Sequence, residues 1–140
     1  MDTYSIFPEF VSKFVQRGSQ FLVVLTNDNW WGRTSGPYQH LQIDIFRAIE
    51  NRRWVVRCNN GGISSFIDPF GRMTAFTDIG EATTLIGSVD LRNEITFYTA
   101  HGDILGRGSW YKFLVLIVIS FIRSIINRLR RSPIAEAAGG

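Results

Sequence analysis

The feature that most constrains this chain is the apolar run at 113–122 (FLVLIVISFI), preceded by Trp110, Tyr111 and Lys112 and followed by Arg123, Arg128, Arg130 and Arg131. A bilayer core takes roughly 20 residues of helix, and the uninterrupted run is shorter than that. Residues 110–129 reach the length as one helix by placing Arg123 inside it, where a long side chain near a helix end extends to the headgroups. The run is open to three readings: a transmembrane helix, an interfacial or partner-bound helix, or a core helix of a soluble protein. An aromatic pair at one end and arginines at the other favour the first. The arginine flank then puts that end in the cytoplasm by the positive-inside bias, and the residues ahead of the run on the opposite side.

The rest of the chain has the texture of a packed domain. Pro8 opens a helix predicted over 8–17, with Phe10, Val11, Phe14 and Val15 at three- and four-residue spacing on one apolar face and Gly18 as a stop. Residues 21–26 (FLVVLT) are a short, β-branched apolar run, which predicts a strand buried on both faces. Residues 27–37 (NDNWWGRTSGP) mix turn formers with two tryptophans and predict a loop leaving that strand. Pro37 opens a second helix, with Leu41, Ile45, Ala48 and Ile49 on its apolar face and Gln42, Asp44 and Arg47 pointing elsewhere. Two strands, 54–58 (WVVRC) and 62–67 (GISSFI), flank an Asn-Asn-Gly-Gly turn, and Asp68-Pro69-Phe70-Gly71 turns the chain into a further strand at 73–76. Residues 83–91 (TTLIGSVDL) predict one more strand, and 93–107 a connector.

Composition excludes some functions. Of 15 basic residues only Lys13 and Lys112 are lysines, and no stretch interleaves basic and aromatic residues, so nucleic acid is not an expected partner. Two isolated histidines, His40 and His101, make no metal site and are expected to be hydrogen-bonded structural residues. The single cysteine, Cys58, lies in a strand-like run and is expected to be a buried, inert thiol. Glu50 is expected to pair with Arg52, Arg53 or Arg57. Asn27 and Asp28 terminate a strand or make polar contacts at a site, and Trp30 and Trp31 are core aromatics or site-lining groups; the Gly-bracketed loop favours the site.

Residues 47–71 order an RAIEN helix end, a strand, an Asn/Gly turn, a strand and a DPFG turn. This resembles the second-half signature of the carbon–nitrogen hydrolase, or nitrilase, superfamily. Residues 7–11 (FPEFV), 26–32 (TNDNWWG) and 36–40 (GPYQH) resemble, in the same order, motifs of its apolipoprotein N-acyltransferase branch. The resemblance covers about residues 5–131. It implies an α+β fold, the second half of a nitrilase-type α/β/β/α sandwich, followed by one C-terminal transmembrane helix. The expected organisation is a partial carbon–nitrogen hydrolase domain at 1–106, a transmembrane helix with its Arg-rich cytoplasmic flank at 107–131, and a disordered tail at 132–140.

The resemblance also implies a location in the bacterial inner membrane and a reaction. A fatty acyl chain passes from a phospholipid to the N-terminal amine of a lipoprotein through a thioester, using a Glu base, an oxyanion-holding Lys and a Cys nucleophile, without a cofactor. Asn27, Asp28, Trp30 and Trp31 would line the substrate. The family nucleophile position falls near Asp2, which is not a cysteine, and the Glu and Lys belong to a half of the domain that this chain does not contain. The chain is therefore expected to be inactive alone, with an upstream polypeptide completing the domain. A small-amide hydrolase and a non-catalytic membrane-anchored accessory module are the alternatives.

Overall fold

A computed structural model describes residues 4–131, and the chain divides into two units, one ending at Gly102 and one beginning at Asp103. The nucleophile position near Asp2 and the tail 132–140 lie outside the described residues.

The first unit is built on helix α1 (Pro8–Gln16), strand β1 (Leu22–Asn27), helix α2 (Gly36–Asn51), strands β2 (Val55–Asn60), β3 (Ser65–Ile67) and β4 (Met73–Phe76), and the short helix α3 (Phe97–His101). The strands form one sheet in the order β1-β2-β3-β4. β1 and β2 are parallel, with Leu22 opposite Val55 and Asn27 opposite Asn60, and α2 makes the crossover that a parallel pair needs. β2, β3 and β4 follow as an antiparallel meander, Val55 facing Ile67 and Phe66 facing Ala75.

Side-chain alternation separates the two faces of this sheet. Leu22, Val24 and Thr26 of β1, Val55, Arg57 and Asn59 of β2, and Ser65 and Ile67 of β3 are buried. In the same strands Val23 is 44% and Leu25 57% exposed, Cys58 is exposed, and Val56 and Phe66 are half-buried. The expectation that β1 is buried on both faces is corrected: its apolar residues equip both faces, but only one is covered within the described residues. Cys58 is corrected for the same reason, since odd positions of β2 face the core and even positions the open side.

Helix α1 matches its predicted span, but its apolar residues form two stripes. Val11 and Val15 are buried with Ser12, while Phe10 and Phe14 remain 36% exposed. In α2 the departure is larger. His40, Asp44, Arg47 and Asn51 are buried beside Leu41 and Ala48, whereas Ile49 is 38% exposed. Polar groups occupy this interior because each has partners there. Asn51 is one such group: its amide donates to the Arg47 carbonyl at 3.0 Å, and its oxygen accepts from Ser12 at 3.2 Å and Thr99 at 3.0 Å, joining α1, α2 and α3. Glu50 pairs with Arg47 at 3.0 Å, one turn back, rather than with Arg52, Arg53 or Arg57.

The segment 83–91 is not a strand. It forms no ladder with β1–β4, and Ile86 is 92% exposed, because strand propensity without a neighbouring edge does not make a strand. The expected connector contains α3, which Thr96 caps by accepting from the Thr99 N–H at 2.9 Å.

The second unit is helix α4 (Ile104–Arg131). Its stretch Ile104–Arg128 is long and apolar enough to cross a membrane, and none of its hydrophobic window is buried against protein.

Candidate functional site: a tryptophan loop on a buried ionic network

The parallel strands β1 and β2 end side by side at Asn27 and Asn60. Ligand sites of open sheets with parallel strands lie beyond such carboxyl ends, where loops diverge. Here the diverging loop carries all four residues singled out in the sequence. Asn27 accepts from the Asn29 N–H at 3.2 Å, an Asx turn that lifts the chain off the strand. A single 3₁₀ turn, Asn29–Trp31, follows. Trp30 is 72% and Trp31 41% exposed, so neither is a core aromatic.

Asp28 is different. It is 1% exposed and is the hub of the region. One carboxylate oxygen accepts from His40 Nδ1 at 2.8 Å; the other accepts from the Arg57 guanidinium at 2.8 Å and from the Asn59 amide. Its backbone N–H donates to Asn59 Oδ1 at 3.1 Å and to the Asn60 carbonyl at 3.0 Å. Arg57 also donates to Asp44 and, through Nε, to the Ile63 carbonyl at 3.0 Å. Four elements thus converge on the root of the tryptophan loop. Asp44 has a carboxyl pushed above the ordinary range by burial, against the lowering attraction of Arg57 and the field of His40. Arg57 thus stands between two buried carboxylates, Asp28 and Asp44.

Two glycine-dependent contacts hold the loop from outside. A Cβ on Gly36, the first residue of α2, would lie 2.7 Å from the Trp31 indole, so only glycine lets that ring rest there. The opposite wall is the Asn59–Gly62 turn, where a Cβ on Gly61 would lie 2.8 Å from the Asn29 backbone. Gly61 also has φ of +77°, so it is required twice over. The Trp31 ring meets His40 edge-on, centroids 5.6 Å apart. Beside the loop, Arg33, Tyr38, Asp78 and Ile79 line a depression of about 310 Å³.

The structure therefore brings Asn27, Asp28, Trp30 and Trp31 into one loop, with the tryptophans outward and Asp28 inward. Sequence reasoning missed Arg57, Asp44 and Asn59 as its supports. Arg57, a lone charge in the apolar strand 54–58, is the signal that called for buried carboxylates nearby. His40 is hydrogen-bonded as expected; His101 contacts the Phe97 carbonyl at 3.1 Å. No cluster of metal-ligating side chains exists among the described residues.

Comparison with known proteins gives the family of the chain. The family description "Carbon-nitrogen hydrolase" matches residues 4–97. The chain is 50% identical over 101 residues to an apolipoprotein N-acyltransferase of Chlorobaculum tepidum, covering 72% of this chain and 19% of that one. It is 39% identical over 122 residues to an apolipoprotein N-acyltransferase of Geobacter metallireducens, covering 87% and 23%. It spans about a fifth of the length of these curated relatives. The crystal structure of Saccharomyces cerevisiae Nit3, a member of branch 10 of the nitrilase superfamily, aligns over 58% of this chain and 33% of that one, with 21% identity and a TM-score of 0.47. With a mixed sheet under two helices, the loop at its parallel ends and a family match over most of the first unit, the chain belongs to the carbon–nitrogen hydrolase family.

Proposed function

We propose that this chain forms part of an N-acyltransferase of the bacterial inner membrane, which moves a fatty acyl chain from a phospholipid to the N-terminal amine of a lipoprotein through a thioester. The observation that carries the reading is a tryptophan loop held rigidly at the parallel end of the sheet, in a chain that also has a helix long and apolar enough to cross a bilayer. A hydrolase of small soluble amides needs neither. In this reading Trp30 and Trp31 contact the acyl chain or acceptor, Asn27 shapes the loop, and Asp28 acts beneath it as anchor. The first unit lies outside the cytoplasm and the arginine-rich end of α4 inside.

The thioester chemistry needs a Cys activated by a base and an oxyanion held by a positive group. Cys58, the sole cysteine, faces the open side of β2, away from the loop's buried supports, and the nucleophile position near Asp2 holds no thiol. In this reading an upstream polypeptide carrying Glu, Lys and Cys would lay its own strands on the open face at Val23, Leu25 and Cys58. The exposure of Cys58 on the open side of β2, apart from the tryptophan loop, favours a second reading, a non-catalytic membrane-anchored accessory module.

The test is acyl transfer to a diacylated lipopeptide, read by mass spectrometry as one added acyl group on the N-terminal amine. This chain alone transfers nothing, a polypeptide that joins it to the upstream half transfers, and Trp30→Ala in that polypeptide lowers the rate. Transfer by the chain alone, abolished by Cys58→Ser, would overturn the assignment. A joined polypeptide that cleaves small amides without acylating would support the hydrolase instead.

A further inference from the structure

The depression beside the tryptophan loop is lined by two stretches of chain that carry opposite charge. Arg33 and Tyr38 come from the end of the loop and the first turn of α2, and Asp78 and Ile79 from the segment after β4. Arg33 and Asp78 are exposed, and neither forms an ion pair with the other or with any other described residue. Opposite charges that share a depression without pairing leave both available to a ligand, and a ligand that uses both carries an anion and a cation.

Both stretches are held in place. The Thr34 hydroxyl donates to the Trp31 carbonyl at 2.8 Å and accepts from the Gly36 N–H at 3.3 Å, which fixes the turn that presents Arg33. The Thr77 N–H donates to the Ser64 carbonyl at 3.0 Å, and Ile79 packs against the core, which fixes the turn that presents Asp78. The Asp78 N–H donates to the Glu81 carboxylate at 3.0 Å, so a second acid lies on that stretch. Tyr38 stands where the dipole of α2 is positive and adds a hydroxyl donor next to the guanidinium in sequence, so this stretch suits an oxyanion. Arginine binds phosphate through a planar fork of N–H donors, and a carboxylate accepts from a primary ammonium. At about 310 Å³ the depression is at the small end of ligand pockets, about 300–1,000 Å³, which suits a polar head rather than an acyl chain.

We propose that this depression selects the acyl donor by its headgroup, taking the phosphate on Arg33 and Tyr38 and a primary ammonium on Asp78. The inference rests on the donor being a phospholipid, as in the proposed function. Its first test is calorimetry on a polypeptide containing the whole chain, in detergent micelles, with the water-soluble heads glycerophosphoethanolamine and glycerophosphoglycerol as probes. The ethanolamine head binds about fivefold more tightly, the scale of one exposed ion pair. Asp78→Asn abolishes that preference, while Arg33→Gln weakens both heads about fivefold. No binding, equal binding of the two heads, or a preference that survives Asp78→Asn overturns the proposal.

A second arm separates a lipid head from a free zwitterion. In the polypeptide joined to the upstream half, transfer from phosphatidylethanolamine exceeds transfer from phosphatidylglycerol, and Asp78→Asn equalises the two donors. If the soluble heads are discriminated but the donors are not, the depression serves a free zwitterion and donor selection is overturned while the acyltransferase reading stands. If neither donor is used, the acyltransferase reading fails and donor selection with it.

Discussion

Replacing Arg57 by Met removes the one cation between two buried carboxylates. The Arg57 side chain is fully buried, Asp28 is 1% and Asp44 0% exposed, and the Ile63 carbonyl loses its donor as well. Breaking a buried ion pair from one side costs about 3–5 kcal/mol, because the surviving carboxylates lose their cation where water cannot replace it, Asp28 keeping only His40 and Asn59. The orphaned carbonyl adds a cost of about 1–3 kcal/mol that overlaps with the first, since both belong to one network. A loss of about 4 kcal/mol is therefore expected, a large share of the 5–15 kcal/mol typical of a domain.

The pH dependence has a defined sign. Burial already raises Asp44 above its ordinary 3.8, so the folded form holds the proton more tightly than the unfolded one. Its favourable contribution is complete below the unfolded value and is lost as pH rises through the folded value. Without Arg57 that window widens upward, and the variant regains stability relative to the parent as the solution is acidified. The assay is urea unfolding in detergent micelles followed by tryptophan emission, for the parent, Arg57→Met and Arg57→Met/Asp44→Asn. A destabilisation under about 1 kcal/mol at neutral pH, well below the cost of an orphaned buried charge, would refute the network as described. So would an effect that does not shrink on acidification.

Gly36→Ala forces a Cβ into the Trp31 ring and Gly61→Ala combines a like clash with a left-handed backbone; each should cost about 1–3 kcal/mol and alter the near-ultraviolet dichroism of the indoles, and an unchanged spectrum would count against the packed loop. Asp68 is pushed up by burial but lowered overall by hydrogen bonds from the Arg72 backbone and side chain and the Phe70 N–H. Its stabilisation is present above the unfolded value of 3.8 and lost as pH falls through the lower folded value, so Asp68→Asn should flatten the acid limb of the stability profile. Cys58 should react rapidly with a maleimide in this chain alone and slowly once an upstream half covers the open face; equal rates would refute that covering.

The comparison of sequence with structure is most instructive in α2. Its apolar residues, Leu41, Ile45, Ala48 and Ile49, predicted the buried face by hydrophobicity, yet His40, Asp44, Arg47 and Asn51 took much of the interior. Periodicity measures which side chains avoid water, but it is blind to polar groups whose partners come from elsewhere in the chain. Asp44 lies 13 residues from Arg57, and Asp28 29 residues from it. Segment 83–91 shows the converse: its composition favours a strand, but a strand exists only with a neighbour.

Local chemistry is what the amino-acid order determined by itself. The apolar run and its arginine flank, the short β-branched strands, the Asn-Gly and Asp-Pro turns and the tryptophan loop each follow from interactions within a few residues, and so were legible. Tertiary structure alone decided which face of the sheet is covered, that Asp28 turns inward while Trp30 and Trp31 turn outward, and that α1 carries one stripe for the core and another for the surroundings. Those outcomes depend on burial and on charge pairing across distant segments, whose energies exist only once the chain has folded.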